Sequence, residues 1–140
     1  MTGKLTLFSL LTCILQSCDP VYNTKIINNS DDYITVVFEY DRTIIQQNLD
    51  QKIRFKPELI INNENSNISF EIDEINFIVT SLVQSKDTLN LEMGIGTRPE
   101  FEDIKMITVF GTDTLNIDNI EKGIKAFKKK GEGRYELIIK

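Results

Sequence analysis

The chain has no histidine and no tryptophan, and its 140 residues include only two cysteines, Cys13 and Cys18. Each absence removes a class of chemistry. Without histidine there is no Ser-His-Asp or Cys-His catalysis and no zinc site built on imidazole. Without tryptophan, a sugar-binding platform would need exposed tyrosines, and Tyr40 and Tyr135 fall on strand faces expected to be buried. Positive charge is also scarce. Sixteen Lys and Arg face 21 Asp and Glu, for a net charge of −5. Nucleic-acid binding needs clustered basic residues, so that partner is excluded. The same balance argues against peripheral attraction to anionic lipid headgroups. No apolar run reaches the ~20 residues that a bilayer-spanning helix requires. Gly94-Ile95-Gly96 lacks the third glycine and the following Lys-Ser/Thr of a phosphate loop. No repeat of 20–50 residues marks a solenoid.

What is present begins with Leu5 to Leu15, eleven residues broken only by Thr6, Ser9 and Thr12 as polar members. Lys4 is the one charge before it. A charged start, an apolar centre and a small residue at the cut build a secretory signal. Leu15-Gln16-Ser17-Cys18 follows, and this tetrapeptide resembles the bacterial lipobox. That resemblance implies cleavage after Ser17, with Cys18 as the lipid-bearing first residue of the mature protein. Residues 1–17 are then the signal peptide, 18–24 a tether and 25–140 a single β-rich domain. The mature domain keeps no free thiol, disulfide or cysteine metal ligand. Loss of Lys4 makes it one unit more negative than the whole chain. Several acyl chains give durable attachment, since each buried CH₂ contributes ~0.8 kcal/mol.

The body reads as short strands with Asn, Asp, Ser and Gly punctuation. Lys25–Asn28 is a first strand, and Asn29-Ser30-Asp31-Asp32 is turn chemistry. Tyr33 to Tyr40 is the clearest strand, with Ile34, Val36, Phe38 and Tyr40 on one face. Ile53 and Phe55 suggest a short strand ending at Pro57, and Leu59-Ile60-Ile61 is another apolar piece. Asn62 to Asn67 holds four asparagines and reads as a loop. Alternation places Ile68, Phe70 and Ile72 together, then Phe77, Val79 and Ser81, then Leu89, Leu91 and Met93. Gly111-Thr112-Asp113 separates Ile104–Phe110 from Thr114–Ile117, which is hairpin spacing. One helix is expected over about 118–130. Asp118 caps it, Glu121 completes a capping box, and Lys128-Lys129-Lys130 suit its C-terminal end. Gly131 stops it. Arg134–Lys140 closes the chain as a strand. Strands at intervals of 8–12 residues predict a mainly β fold, an antiparallel sandwich or barrel-like domain. The alternative is α+β, with further helices at Asp41–Gln51 and around Pro99–Lys105.

Glu71 and Asp73 share a strand face and could form an acid/base pair or a cation site. The calcium-loop spacing is absent, so a solvated strand face explains them better. Lys128-Lys129-Lys130 could touch lipid phosphates, but a helix C-terminus accounts for the run without a ligand. Asp87-Thr88-Leu89 and Asp113-Thr114-Leu115 repeat one tripeptide at the mouth of a strand. The pattern resembles the O-glycosylation acceptor of exported Bacteroidetes proteins, which implies Thr88 and Thr114 as acceptors. No metal ligand set and no cofactor are expected.

Three stretches together resemble small lipoproteins abundant in Bacteroidetes: Leu-Gln-Ser-Cys, Ile27–Ile34 with its Asn-Ser-Asp turn, and Val109–Leu115. The resemblance covers the two ends of the chain and leaves Asp41–Gln84 unmatched. It implies an envelope lipoprotein, anchored through Cys18, at the outer rather than the inner membrane. It implies no activity. The expected role is a non-enzymatic module that binds a protein or glycan partner. A structural subunit of an envelope or secretion complex ranks second, and a carboxylate-dependent glycoside hydrolase third.

Overall fold

A computed structural model describes residues 20–48, 57–63, 66–96 and 98–140. Among the described residues there are nine strands: β1 Val21–Asn28, β2 Ile34–Tyr40, β3 Ser69–Asp73, β4 Ile78–Val83, β5 Thr88–Ile95, β6 Ile104–Phe110, β7 Thr114–Ile117, β8 Lys128–Lys129 and β9 Arg134–Ile139. Three helices are short: α1 Arg42–Asn48, α2 Glu58–Ile61 and α3 Ile120–Ala126. The first sheet has the order β5-β1-β9-β8, the second β3-β4-β2-β6-β7. The fold is mainly β and sandwich-like, and the sheets do not close into a barrel. Every pair is antiparallel except β1 with β9. An antiparallel partner can follow a tight turn, whereas a parallel one requires a long crossover. Here nearly the whole domain is that crossover.

The inner faces follow the two-residue period. Ile34, Val36, Phe38 and Tyr40 of β2 are buried, as the alternation predicts. Tyr22, Thr24, Ile26 and Asn28 of β1 face them in the same manner. Phe77, Val79, Ser81 and Val83, with Leu89, Leu91, Ile107, Val109, Tyr135 and Leu137, are buried in the same core. A fully buried Val, Ile, Leu or Phe side chain contributes ~1.5–3 kcal/mol relative to exposure, so this layer carries the hydrophobic stabilisation.

Several expectations are corrected. β1 begins at Val21, inside the segment read as a tether, because Tyr22 and Thr24 continue its buried face. The helix is shorter than 118–130. Asn119, not Asp118, caps it by accepting from the Lys122 amide at 2.8 Å, while Asp118 pairs with the Lys122 ammonium at 2.7 Å. Phe127 turns extended to bury its ring against Phe101, 5.3 Å between centroids, and ends the helix. Lys128 and Lys129 then pair with β9 as a strand. Of the helices in the α+β alternative, α1 lies within the first proposed segment. Its start is fixed by Asp41, whose carboxylate accepts from the Thr43 and Ile44 amides. No helix forms at residues 99–105, where β6 has already begun by Ile104. The apolar piece Leu59-Ile60-Ile61 lies in a single helical turn, Glu58–Ile61. Met93 is 60% exposed although Leu89 and Leu91 are buried. The register slips between Thr24 and Lys25, leaving Leu91 as an extra residue, so β5 changes phase there. The expected strand at Ile53–Phe55 lies outside the described residues.

Asn28 ties the layers together. Its side-chain amide donates to the carbonyls of Asp32 (2.8 Å), Val83 (3.1 Å) and Gln84 (3.0 Å). Its side-chain oxygen accepts from the Ser30 amide and hydroxyl. Asn28 is wholly buried and belongs to the first sheet, whereas Val83 ends a strand of the second. Around it, Ser85 donates to the Ser30 carbonyl and Lys86 to that of Asn29. Two chain crossings between the sheets are thus bolted side by side. Asn28→Ala strands buried carbonyls at ~1–3 kcal/mol apiece, so a loss of about 3 kcal/mol is expected in urea unfolding. A loss below ~1 kcal/mol would mean that water replaces the amide without cost.

Candidate functional site

Cys18 lies outside the described residues. The other residues singled out by sequence are dispersed rather than gathered. Glu71 is exposed on β3, an edge strand, and its register places it beside Thr80 on the outer face. Asp73 sits on the same face but is committed to the turn that follows. Its carboxylate accepts from the Ile75 and Asn76 amides and from the Asn76 side chain at 2.7 Å. The Asn76 side chain is the main cause holding its pKa below the ordinary 3.8. This carboxylate organises a β-turn. Thr88 opens β5, half-buried opposite Ile27. Thr114 opens β7, an edge strand in which it is exposed and only the last residue, Ile117, is buried. Among the described residues no group of three or more Asp, Glu, Cys or His could hold a metal ion.

An open cleft of about 390 Å³ runs beside β5. Tyr22, Ile44, Met93, Ile95 and Phe101 supply apolar lining, and Glu92, Glu100, Glu102 and Asp103 supply carboxylates. Tyr22 fills the space that a Cβ on Gly94 would need, 2.5 Å from its hydroxyl, so a glycine here lets the ring pass under β5. Phe101 holds a left-handed backbone, φ 49°, to bury its ring at the cleft wall. Further along β5 the edge is sealed. Asn63 accepts from the Asn90 amide at 3.0 Å and donates to its carbonyl at 2.6 Å, taking the place of a neighbouring strand. The asparagine-rich segment therefore protects an edge, a role that composition alone did not reveal.

The outer face of the second sheet offers a broader surface. Ser69, Leu82, Thr35, Phe110 and Thr114 stand in one row across its five strands. Glu71, Thr80, Val37, Thr108 and Asn116 form the next. Ten positions thus hold a single charge. Phe110 and Leu82 are 47% and 40% exposed, and Tyr33 precedes the first row at 67%. Depletion of charge with exposed aromatic side chains is the compositional mark of an interaction surface. No single strand discloses this face; it exists only once the register aligns five of them. No protein-family model, curated protein or solved structure matches the chain.

The lowered folded pKa of Asp73 means that its ionised form stabilises the turn. That contribution is full above the unfolded value of 3.8 and is lost as pH falls through the lower folded value. Asp73→Ala is therefore expected to lower the urea midpoint at neutral pH. The gap from wild type should close in acid below 3.8. A gap that persists unchanged in acid would show that the carboxylate charge is irrelevant to the turn.

Proposed function

We propose that this chain is a lipid-anchored envelope protein whose β-rich domain is a non-enzymatic interaction module. The observation that carries the reading is the apolar leader ending in Leu15-Gln16-Ser17-Cys18. Cys18 bears the lipid, at the outer rather than the inner membrane, and the partner is a protein or glycan. The charge-poor rows on the outer face of the second sheet support this role, since they present Leu82 and Phe110, with Tyr33 beside them, and Glu71 as their one charged residue. Asp73 is engaged in a turn, which weakens the reading of Glu71 and Asp73 as a hydrolytic pair.

Metabolic labelling with a fatty-acid analogue tests the anchor in the native host. Label is expected on the wild type and none on Cys18→Ala. Absence of label from both would overturn the reading.

The two Asp-Thr-Leu tripeptides extend the proposal to O-glycosylation at Thr88 and Thr114. Exposure favours Thr114 as the acceptor, because Thr88 is half-buried in a paired strand. Intact mass of the envelope protein should show added hexose-type mass that Thr114→Ala reduces. An unmodified mass would remove both threonines as acceptors.

A further inference from the structure

We propose that the outer face of the first sheet, at the end where β1 begins, lies against a membrane surface bearing anionic phospholipid headgroups. The proposal rests on Cys18 as the lipid-bearing residue and adds how the domain sits on the bilayer. Only Asp19 and Pro20 separate Cys18 from Val21, the first residue of β1. Three extended steps span at most ~11 Å, so this end of the sandwich cannot stand clear of the lipid.

The side chains at that end suit such a position. Val21 stands directly opposite Ile95, and Asn23 opposite Met93, all four on the outer face. Val21, Met93 and Ile95 are 57%, 60% and 71% exposed. The β5 irregularity at Leu91 is what turns Met93 and Ile95 outward. Beside them the face becomes basic. Asn23 is level with Arg134 on β9, and the Lys130 amide pairs with the Arg134 carbonyl. Lys25, Glu136 and Lys128 form the next row. Four cations, Lys25, Lys128, Lys130 and Arg134, thus share a face with one carboxylate, Glu136. Glu132 stands at the tip of the adjoining turn, and Glu92, Glu100, Glu102 and Asp103 line the cleft whose rim Met93 and Ile95 share, so the basic character belongs to the β1–β9–β8 side of the face. The chain as a whole carries −5, so this face reverses the average sign. Exposed apolar residues flanked by Lys and Arg are the combination that interfacial segments use. An eight-residue strand spans ~26 Å, so the Tyr33–Phe110 region near the far end of the sandwich points away from the bilayer.

The absence of tryptophan makes the test direct. Ile95→Trp and, separately, Phe110→Trp each place one indole in the full-length protein purified from the envelope. Intact mass reports whether lipid is present. Each variant is then reconstituted in vesicles of phosphatidylglycerol and phosphatidylethanolamine with brominated acyl chains. Interfacial burial of ~5–10 Å should give about twofold or greater quenching at position 95 over position 110. Lys128→Glu combined with Lys130→Glu should reduce quenching at position 95. Lipidated protein with equal quenching at both positions, or with more at position 110, overturns the orientation and leaves the anchor standing. Quenching at position 95 that is equally strong in phosphatidylcholine vesicles overturns the role of headgroup charge. Intact mass without lipid overturns the anchor itself, whatever the quenching.

Discussion

The buried amide of Asn28 is the interaction on which the two-layer arrangement turns. Two sheets that share only apolar contacts can slide, because hydrophobic attraction is non-directional. A side chain that donates to carbonyls of Asp32, Val83 and Gln84 while accepting from Ser30 has one position in which all its partners are met. Losing that position leaves polar groups dry, which costs more than the net gain of making the bonds. Asn28 therefore fixes the end of β1 against the end of β4, and with it the relation of the sheets. The connections at residues 29–33 and 84–87 can then be short, since each crosses from one layer to the other beside the same anchor.

Where local pattern decides structure, the sequence was legible. Ile34, Val36, Phe38 and Tyr40 alternate with smaller or polar residues, and no tertiary contact needed to be known to place them inward. Gly111-Thr112-Asp113 announced its hairpin for the same reason. The failures share a cause. Lys128 and Lys129 have every local reason to end a helix, but the burial of Phe127 and pairing with β9 outweigh helix propensity. Met93 departs from its period because an extra residue enters opposite β1, a property of two strands together. Asn63 seals a strand edge 27 residues away in sequence.

Candidate surfaces were less legible still, because they are products of register. Net charge treats the chain as well mixed, and on that measure attraction to a headgroup layer is disfavoured. Folding unmixes it. Lys25 comes from the first strand, Lys128 and Lys130 from the segment after the last helix, and Arg134 from the last strand. Only the β1–β9 and β8–β9 pairings bring them to one face. The same operation leaves a single charge, Glu71, among ten neighbouring positions of the second sheet. One sequence average conceals two surfaces of different character.

The parallel β1–β9 pair makes that segregation durable. Gly133 has φ +65°, and an added Cβ would collide with the Val21 carbonyl. Its own carbonyl accepts from the Asn23 amide at 2.6 Å. The turn bearing Lys130 and Arg134 is therefore clamped to the first residues of β1. A residue with a side chain could neither adopt that backbone without strain nor approach so closely. Because the clamp sits three residues after Cys18, the basic turn cannot separate from the start of the domain while β1 stays paired. A lipid on Cys18 would then hold apolar and basic side chains at the same height above the bilayer, and the far, charge-poor face would be left open to solvent and to a partner.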